Sequence, residues 1–274
     1  MTVAGSIGDA GFHVLTAKIA RERGFACANY KESCLKRRIA VRMRARGVHR
    51  YADYAALLDG DAIEYDKLLD ALTINVTKLW RNPETWSAIE RTVAPVLLAR
   101  TDRPLRVWSA GCASGEEPYS IAMALLGAAA MMGDPARARR VQVVGTDIDA
   151  RSLDAARAAT FADAAFADMP AGMRERWFEP GSPARANAAL RAIVTVERRD
   201  LLEQGPPPGP WHLIVCRNVI IYFDRASQER LFQQFHDALV PGGFLVLGKV
   251  ETLFGDTRAL FTTVDSRERI FTRP

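Results

Sequence analysis

A buried strand, a turn of small residues and a helix follow one another directly between residues 105 and 130. The strand is the apolar run Leu105–Ala110, and the turn contains Gly111, Ala113 and Gly115. Small side chains at a strand-to-helix turn let the backbone approach a ligand closely. This order of elements constrains the fold strongly, because it is typical of a doubly wound α/β sheet that binds its ligand at the carboxyl ends of the strands.

Two carboxylates, Glu116 and Glu117, open the helix behind this turn. A dinucleotide-binding site leaves backbone amides free there for a pyrophosphate, which two carboxylates would repel. A cationic ligand with free hydroxyl groups is favoured instead. S-adenosylmethionine has a sulfonium and a ribose but no phosphate, so the pattern predicts a methyltransferase rather than an NAD-dependent dehydrogenase.

Short apolar runs alternate with helical segments through the rest of the chain. We predict strands at Leu105–Ala110, Val141–Thr146, Leu213–Cys216 and Phe244–Leu247, and crossover helices at Pro118–Ala130, Ala150–Ala158 and Ser227–Leu239. A turn at Pro241–Gly243 is expected before the fourth strand, and Phe261–Thr272 is expected to supply a last one. The predicted class is α/β, a doubly wound Rossmann-like sheet.

The segment before the first strand is helical in pattern. Leu35, Ile39 and Met43 form one apolar stripe on a helix that ends near Gly47. The predicted domains are an all-α N-terminal domain over residues 1–85, a linker helix over 86–103 and a catalytic domain over 104–274, with a small β insertion over 160–198 that returns to the sheet near Val194. Further helices are expected at Tyr51–Leu58 and Ala62–Leu72.

The formal net charge of +5 is distributed unevenly. Residues 18–50 contain 11 Lys and Arg and two Glu, a local balance of +9, so the remainder sums to −4. Six basic side chains surround the apolar stripe: Lys36, Arg37, Arg38, Arg42, Arg44 and Arg46. Such a face either is simply solvated or recognises an acidic partner.

Composition disfavours membrane, secreted and metal-dependent classes. No apolar run reaches the roughly 18–20 residues that a transmembrane helix needs, and the N-terminus lacks a secretory signal. The four cysteines form no CxxC pair, and the four histidines are scattered. We therefore expect a cytoplasmic protein with reduced thiols and no metal site.

Asp147 ends the second predicted strand, where an acidic residue can accept hydrogen bonds from ribose hydroxyls. It lies 32 residues after Gly115, beyond the usual spacing of about 20, and an insert at residues 127–140 explains the excess. The alternative is a helix N-cap, for which Asp147 and Asp149 are equally suitable. Coupled to the small-residue turn, the ribose role is favoured.

Polar residues also follow the buried strand Leu213–Cys216. Arg217 and Asn218 emerge at its end, and Tyr222 comes four residues later. These side chains either line a pocket or, for Tyr222, pack within an apolar run. The Asn/Asp-Pro-Pro-Tyr tetrapeptide that often holds a neutral amine in methyltransferases is missing, which makes an amine or amide acceptor less favoured.

The junction of the two domains carries Asn75, Thr77 and Arg81, interleaved with apolar residues. On spacing alone, a capped helix start with one exposed arginine is the favoured interpretation.

Four segments in this order resemble the CheR-type chemoreceptor glutamate methyltransferases of bacterial chemotaxis. They are the basic helix at Tyr30–Ile39, the interdomain segment Thr73–Thr77 with Arg81–Pro83, the cofactor loop Trp108–Ser120, and Cys216–Asn218 with Tyr222–Phe223. The resemblance extends over nearly the whole chain. Leu79–Trp80 replaces two phenylalanines of the family, and Asp200 replaces a common asparagine.

The resemblance implies roles for individual residues. Beside Gly111 of the small-residue turn, the implied contacts to S-adenosylmethionine are Asn75, Thr77, Arg81, Glu117, Asp147, Asp200, Leu201, Arg217 and Asn218. Arg81 and Tyr222 are implied to position the methyl transfer, and the six basic residues of the N-terminal helix to recognise the receptor.

The expected activity is O-methylation of glutamates on the cytoplasmic helical domain of chemoreceptors, with S-adenosylhomocysteine as the other product. We expect a monomer that is peripheral to receptor arrays, inserts into no membrane and binds no nucleic acid. Two alternatives stay open: a methyltransferase of the same fold acting on another acceptor such as RNA, and a non-catalytic signalling scaffold. Few aromatic residues interleave the arginines, which disfavours RNA.

Overall fold

The computed structural model describes residues 4–73, 76–100 and 104–274. The chain divides into two compact units. The helical unit comprises residues 1–74 together with Tyr222–Ser227, and the sheet unit comprises residues 75–221 and 228–274. Within the described ranges, no helix is both long and apolar enough to cross a bilayer.

The helical unit is built from α1 (Ala4–Arg23), α2 (Glu32–Ala45), α3 (Tyr51–Gly60) and α4 (Ala62–Thr73). Helix α1 packs against α3, and α2 packs against α4. The stripe Leu35, Ile39 and Met43 is buried, as its spacing predicts. Gly47 adopts a φ of 66° and Val48 donates its N–H to the carbonyl of Met43, so the predicted stop is a left-handed C-terminal cap.

Among its described residues, the sheet unit contains nine strands and most of the remaining helices. The strands are β1 (Leu105–Ala110), β2 (Val141–Asp147), β3 (Thr160–Phe161), β4 (Ala184–Arg185), β5 (Val194–Arg198), β6 (Trp211–Cys216), β7 (Leu239–Leu247), β8 (Thr262–Asp265) and β9 (Ile270–Thr272). The helices are α5 (Pro83–Ala88), α6 (Ala94–Ala99), α7 (Glu116–Met131), α8 (Pro135–Ala138), α9 (Ala150–Ala158), α10 (Met173–Trp177), α11 (Ala188–Arg191) and α12 (Arg225–Ala238), the last belonging to this unit from Gln228 onward.

In the part of the chain that the structure describes, seven strands form the main sheet, in the order β5-β2-β1-β6-β7-β9-β8. Strands β1, β2, β5, β6 and β7 are parallel, and β9 and β8 extend the sheet as antiparallel strands. The chain runs from β1 outward through β2 and β5, then returns to place β6 on the other side of β1. The predicted doubly wound α/β sheet is confirmed, and its topological switch point lies between β1 and β6, where such folds bind ligands.

Two segments near the C-terminus differ from the prediction. Pro241–Gly243 lies inside β7, because Gly242 and Gly243 exchange backbone hydrogen bonds with Arg273 instead of forming a separate turn. The segment Phe261–Thr272 is a hairpin of β8 and β9 and not a single strand. Its turn is closed by the Asp265 carboxylate, which accepts the backbone N–H groups of Arg267 and Glu268.

The insertion at residues 160–198 contains the small antiparallel pair β3–β4, and the chain rejoins the main sheet at Val194 as β5. The helical unit ends at residue 74, ahead of the boundary at residue 85 that the sequence predicts. The reason is that Leu79, Trp80 and Trp86 are buried in the core of the sheet unit. Helix α5, a π-helical turn at Ile89–Val93 and α6 continue this packing where a linker helix is predicted.

Candidate functional site

The turn after β1 packs directly against the loop after β6. Gly111 has a φ of 78° and donates its N–H to the carbonyl of Thr146 at 2.8 Å. A Cβ atom at this position would lie 2.5 Å from Cγ2 of Val219. At Gly115, with a φ of 100°, a Cβ atom would lie 2.9 Å from the Cβ of Ala156. Both glycines are therefore required by conformation and by space. The turn that they form leads from the end of β1, at the switch point, into α7.

Asp147 is oriented toward this turn at the carboxyl end of β2. Its Oδ2 accepts the backbone N–H of Ala113 at 2.8 Å, and its Oδ1 accepts that of Asp149 at 3.0 Å. Asp149 itself caps α9 by accepting the N–H of Arg151. Asp149 is thus the helix cap, and Asp147 is held beside the small-residue turn. Its contact with a ribose stays a prediction. Burial raises the pKa of the Asp147 carboxyl.

Glu117 is a buried carboxylate on the first turn of α7, with 9% of its surface exposed. Its Oε1 accepts a hydrogen bond from Ser109 Oγ at 2.8 Å, which fixes it beside the end of β1. Burial raises the pKa of Glu117 to about 7, opposed mainly by the positive charge of Arg217. The neighbouring Glu116 is also buried and accepts a hydrogen bond from Ser114 Oγ. This end of α7 therefore suits a cation and disfavours a phosphate.

Arg217 is almost completely buried, with 6% of its surface exposed. Its Nη2 donates to the carbonyl of Arg81 and to Oδ1 of Asn82, both at 2.9 Å, and its guanidinium lies 5.3 Å from the ring centroid of Trp86. Its Nε is buried without a hydrogen-bond partner in the described structure. A buried donor of this kind can be satisfied by an anionic group of a bound ligand.

Arg81 lies in a segment with unusual backbone geometry. Trp80 and Asn82 on either side have φ values of 57° and 60°. Each such conformation costs on the order of 1–3 kcal/mol and persists only where neighbouring contacts impose it. Here the Trp80 N–H donates to Ser120 Oγ, and the Arg81 carbonyl also accepts the indole N–H of Trp86. The Arg81 side chain is half-buried and donates to a backbone carbonyl at residue 76.

Trp80 and Asp200 differ from the residues usual in the family that the chain resembles, and they fit the core and the turn that contain them. Trp80 is buried and stacks on Trp86 with ring centroids 5.5 Å apart. Asp200 accepts the N–H groups of Leu202 and Glu203 through a single oxygen, Oδ1. The carbonyl oxygen of an asparagine could accept the same two bonds. Leu201, predicted as a cofactor contact, is buried in this turn.

Glu251 is a residue that the sequence analysis misses. Its carboxylate, 3% exposed, accepts five backbone N–H groups at 2.7–3.3 Å: those of Asn218, Val219, Ile220, Ile221 and Gly248. It therefore holds the whole loop after β6, including the predicted contact Asn218. Its position just after β7, at the same edge of the sheet, is the sequence signal that points to it.

The predicted site residues still to be located are Asn75, Thr77 and Tyr222. Asn75 lies outside the described residues, and Thr77 is half-buried in the irregular segment before Leu79. Tyr222 belongs to the helical unit, where its carbonyl accepts the N–H of Lys31 at 2.8 Å and its ring lies beneath the guanidinium of Arg38.

The basic residues of α2 are not equivalent. Arg42 makes a bidentate ion pair with the fully buried Glu64, which also accepts the hydroxyl of Tyr54. Arg46 pairs with Asp61 at 2.7 Å. Lys36 pairs with Glu32, and Arg38 donates to the carbonyls of Ala71 and Leu72. Arg37 and Arg44 are exposed. These two are the members of the predicted face most available to a partner.

The structure brings together no group of three or more His, Cys, Asp or Glu suited to a metal ion within its described ranges.

Two family models match the chain. The model described as CheR methyltransferase, all-alpha domain, matches residues 10–73, and the model described as CheR methyltransferase, SAM binding domain, matches residues 75–270. These ranges meet where the two structural units divide.

Curated proteins from several bacteria are similar over most of the chain. Chemotaxis protein methyltransferase 2 of Pseudomonas aeruginosa is 34% identical over 252 residues, which cover 88% of this chain and 85% of that protein. The chemotaxis protein methyltransferase of Listeria monocytogenes is 33% identical over 239 residues, covering 87% and 88%. An uncharacterized 104.1 kDa protein of Rhodobacter capsulatus is 33% identical over 246 residues, and this chain spans 25% of its length.

Proposed function

This chain belongs to the CheR methyltransferase family, and we propose that it methylates glutamate side chains on the cytoplasmic domain of chemoreceptors. The observation that carries the proposal is the buried Glu117 at the start of α7, directly after the Gly111 turn, whose backbone Asp147 contacts. Relatives that are named chemotaxis protein methyltransferases support the chemotactic role.

The cofactor of the family is S-adenosylmethionine, and the residues present fit it. Glu117 and Asp147 offer carboxylates for a cationic ligand and for hydroxyl groups, and the unpartnered Nε of Arg217 offers a donor for a carboxylate. When bound, the cofactor supplies an electrophilic methyl group on a sulfonium. Glu116 and Glu117 together disfavour the pyrophosphate of a dinucleotide.

Glutamate O-methylation requires little acid–base catalysis by the protein. A glutamate carboxylate, with a reference pKa of about 4.3, is already ionised at neutral pH and needs no general base. The protein has to orient the carboxylate oxygen toward the methyl group, and orientation of this kind can contribute about 7–11 kcal/mol. Arg81 orients the substrate carboxylate and Tyr222 donates a hydrogen bond to it. Both contacts must be modest, because excessive stabilisation of the anion would slow its attack.

Substrate recognition is assigned to the exposed part of α2. Arg37 and Arg44 lie on one side of the helix with the exposed Val41 between them. Methylation sites on receptor helices are acidic, so these cations attract them through contacts that salt screens.

Transfer of tritiated methyl groups from S-adenosylmethionine to a chemoreceptor cytoplasmic fragment tests the proposal. We expect label that mild base releases as methanol and that is lost when the receptor glutamates are replaced by alanine. Label that resists base would place the methyl group on another atom. Tight cofactor binding without any transfer to the receptor would direct the search to another acceptor, beginning with RNA.

A further inference from the structure

Tyr222 is held by the helical unit at the start of α2. Its carbonyl accepts the N–H of Lys31 at 2.8 Å, and the N–H of Asp224 donates to the carbonyl of Asn29 at 3.0 Å. Between these two hydrogen bonds, the Phe223 ring makes an edge contact with the ring of Tyr30, with ring centroids 5.0 Å apart. The backbone of Tyr222 is therefore fixed to the segment that leads directly into the basic helix.

Arg38, two turns into α2, fixes the side chain of Tyr222. Its guanidinium lies 4.9 Å from the centroid of the Tyr222 ring. Its Nη1 donates to the carbonyls of Ala71 and Leu72, both at 3.0 Å, in the last turn of α4. One planar group thus packs on the phenol ring and is itself tied to the end of a second helix. Arg37, its neighbour in sequence, is exposed.

We propose that Arg38 is a positioning residue for Tyr222: anchored on the carbonyls of α4, its guanidinium holds the phenol in the orientation in which the hydroxyl donates to the substrate carboxylate. The inference rests on the proposed function, which assigns that hydrogen bond to Tyr222. It separates Arg38 from the exposed basic residues of α2, whose role is to attract the receptor.

The chemistry of the side chain explains why arginine is needed. A guanidinium can stack on an aromatic face and donate in its plane at the same time, whereas a lysine ammonium is a compact charge without a planar face. Arg38→Lys therefore keeps the charge but loses the simultaneous contacts. Tyr222→Phe keeps the ring on which Arg38 packs and removes only the hydroxyl.

The test measures kcat and the receptor KM for Arg38→Ala, Arg38→Lys, Tyr222→Phe and the double variant Arg38→Ala/Tyr222→Phe, with Arg37→Ala as the comparison of equal charge. We expect Arg38→Ala and Arg38→Lys to lower kcat about tenfold or more, since small misplacements of a reacting group have large effects on rate. Their receptor KM should stay within about twofold, while Arg37→Ala should act on KM. The double variant should be no more than about twofold slower than Tyr222→Phe, because Arg38 acts through the missing hydroxyl.

Each other result overturns the proposal in a recognisable way. A raised KM with unchanged kcat in Arg38→Ala would make Arg38 a receptor contact, and fully additive losses in the double variant would make its role independent of Tyr222. If Tyr222→Phe retains full kcat, the role of Tyr222 in the proposed function fails, and this inference with it. Should Arg38→Ala not fold, as judged by helical circular dichroism, Arg38→Lys decides alone: wild-type kcat in that variant rejects the proposal.

Discussion

Arg217 donates a hydrogen bond to the carbonyl oxygen of Arg81 at 2.9 Å and so joins two segments that lie 136 residues apart in sequence. The same guanidinium is the main positive charge acting on the buried carboxylate of Glu117. One buried cation therefore links the strand-end loop, the start of α7 and the segment that carries the proposed catalytic arginine.

Arg217→Ala should destabilise the protein. It leaves Glu117 without its main counter-charge and removes the donors to Arg81 and Asn82, and breaking a buried pair typically costs about 3–5 kcal/mol. Denaturant unfolding measures this loss in free energy. The exposed Arg267→Ala serves as the control and should change stability by less than about 0.5 kcal/mol. Equal stability of the two variants would contradict the role assigned to Arg217.

Glu117→Gln should alter the dependence of stability on pH. Because burial raises the pKa of Glu117 from 4.5 to about 7, the folded state binds a proton that the unfolded state has released between these values. The stability this provides is fully present below pH 4.5 and is lost as pH rises to about 7, by up to about 3 kcal/mol. The glutamine variant lacks this term. Unfolding free energies of both proteins should be measured at pH 5 and at pH 8. The stability of the variant relative to that of the wild type should be higher at pH 8 than at pH 5. An equal difference at the two pH values would contradict the raised pKa of Glu117.

Binding of S-adenosylmethionine should weaken as pH falls below 7 in the wild type. A cationic ligand favours the ionised form of Glu117, so its affinity follows the fraction ionised, with at most about a tenfold change per pH unit. Titration calorimetry of wild type and Glu117→Gln checks this. Glu116 and Asp147, whose pKa values burial also raises, are present in both proteins. Identical pH profiles would assign the effect to those residues instead.

Gly111→Ala should disrupt the cofactor site. The new Cβ atom would lie 2.5 Å from Val219, in addition to the strain of a φ of 78°. Gly133→Ala is a matched control, because its φ of 70° is similar but no atom lies within 4 Å of the added Cβ. The control should lose only the conformational cost of about 1–2 kcal/mol and keep cofactor affinity. Comparable affinity in both variants would show that the contact with Val219 is dispensable.

Glu251→Ala should raise the KM for S-adenosylmethionine. Five backbone N–H groups lose their acceptor, four of them in the loop from Asn218 to Ile221, so this loop is released. Glu251→Gln keeps an acceptor oxygen and should be intermediate. Steady-state kinetics with varied cofactor distinguish the three proteins, and the exposed Asp256→Ala should match wild type. A normal cofactor KM in Glu251→Ala would remove Glu251 from the site.

The sequence predicts those parts of the fold that depend on local patterns. Leu105–Ala110 and Ala150–Ala158 have the predicted bounds, because apolar runs and capping residues mark them directly. Glu251 is missed because its partners are backbone N–H groups, four of which lie 30–33 residues away, and backbone groups leave no pattern of side chains in the sequence. The pairing of Arg42 with Glu64 is missed because the two side chains lie 22 residues apart on different helices, so a helix that looks basic contains both structural and exposed arginines.

The proposed glutamate methylation is tested by mass mapping of a chemoreceptor cytoplasmic fragment incubated with S-adenosylmethionine and either wild-type protein or Arg81→Ala. We expect a gain of one methylene mass on individual glutamates with wild type, reversed by mild base, and a strong reduction with Arg81→Ala even at a saturating concentration of cofactor. Unmodified glutamates with wild type, or full modification by Arg81→Ala, would contradict it.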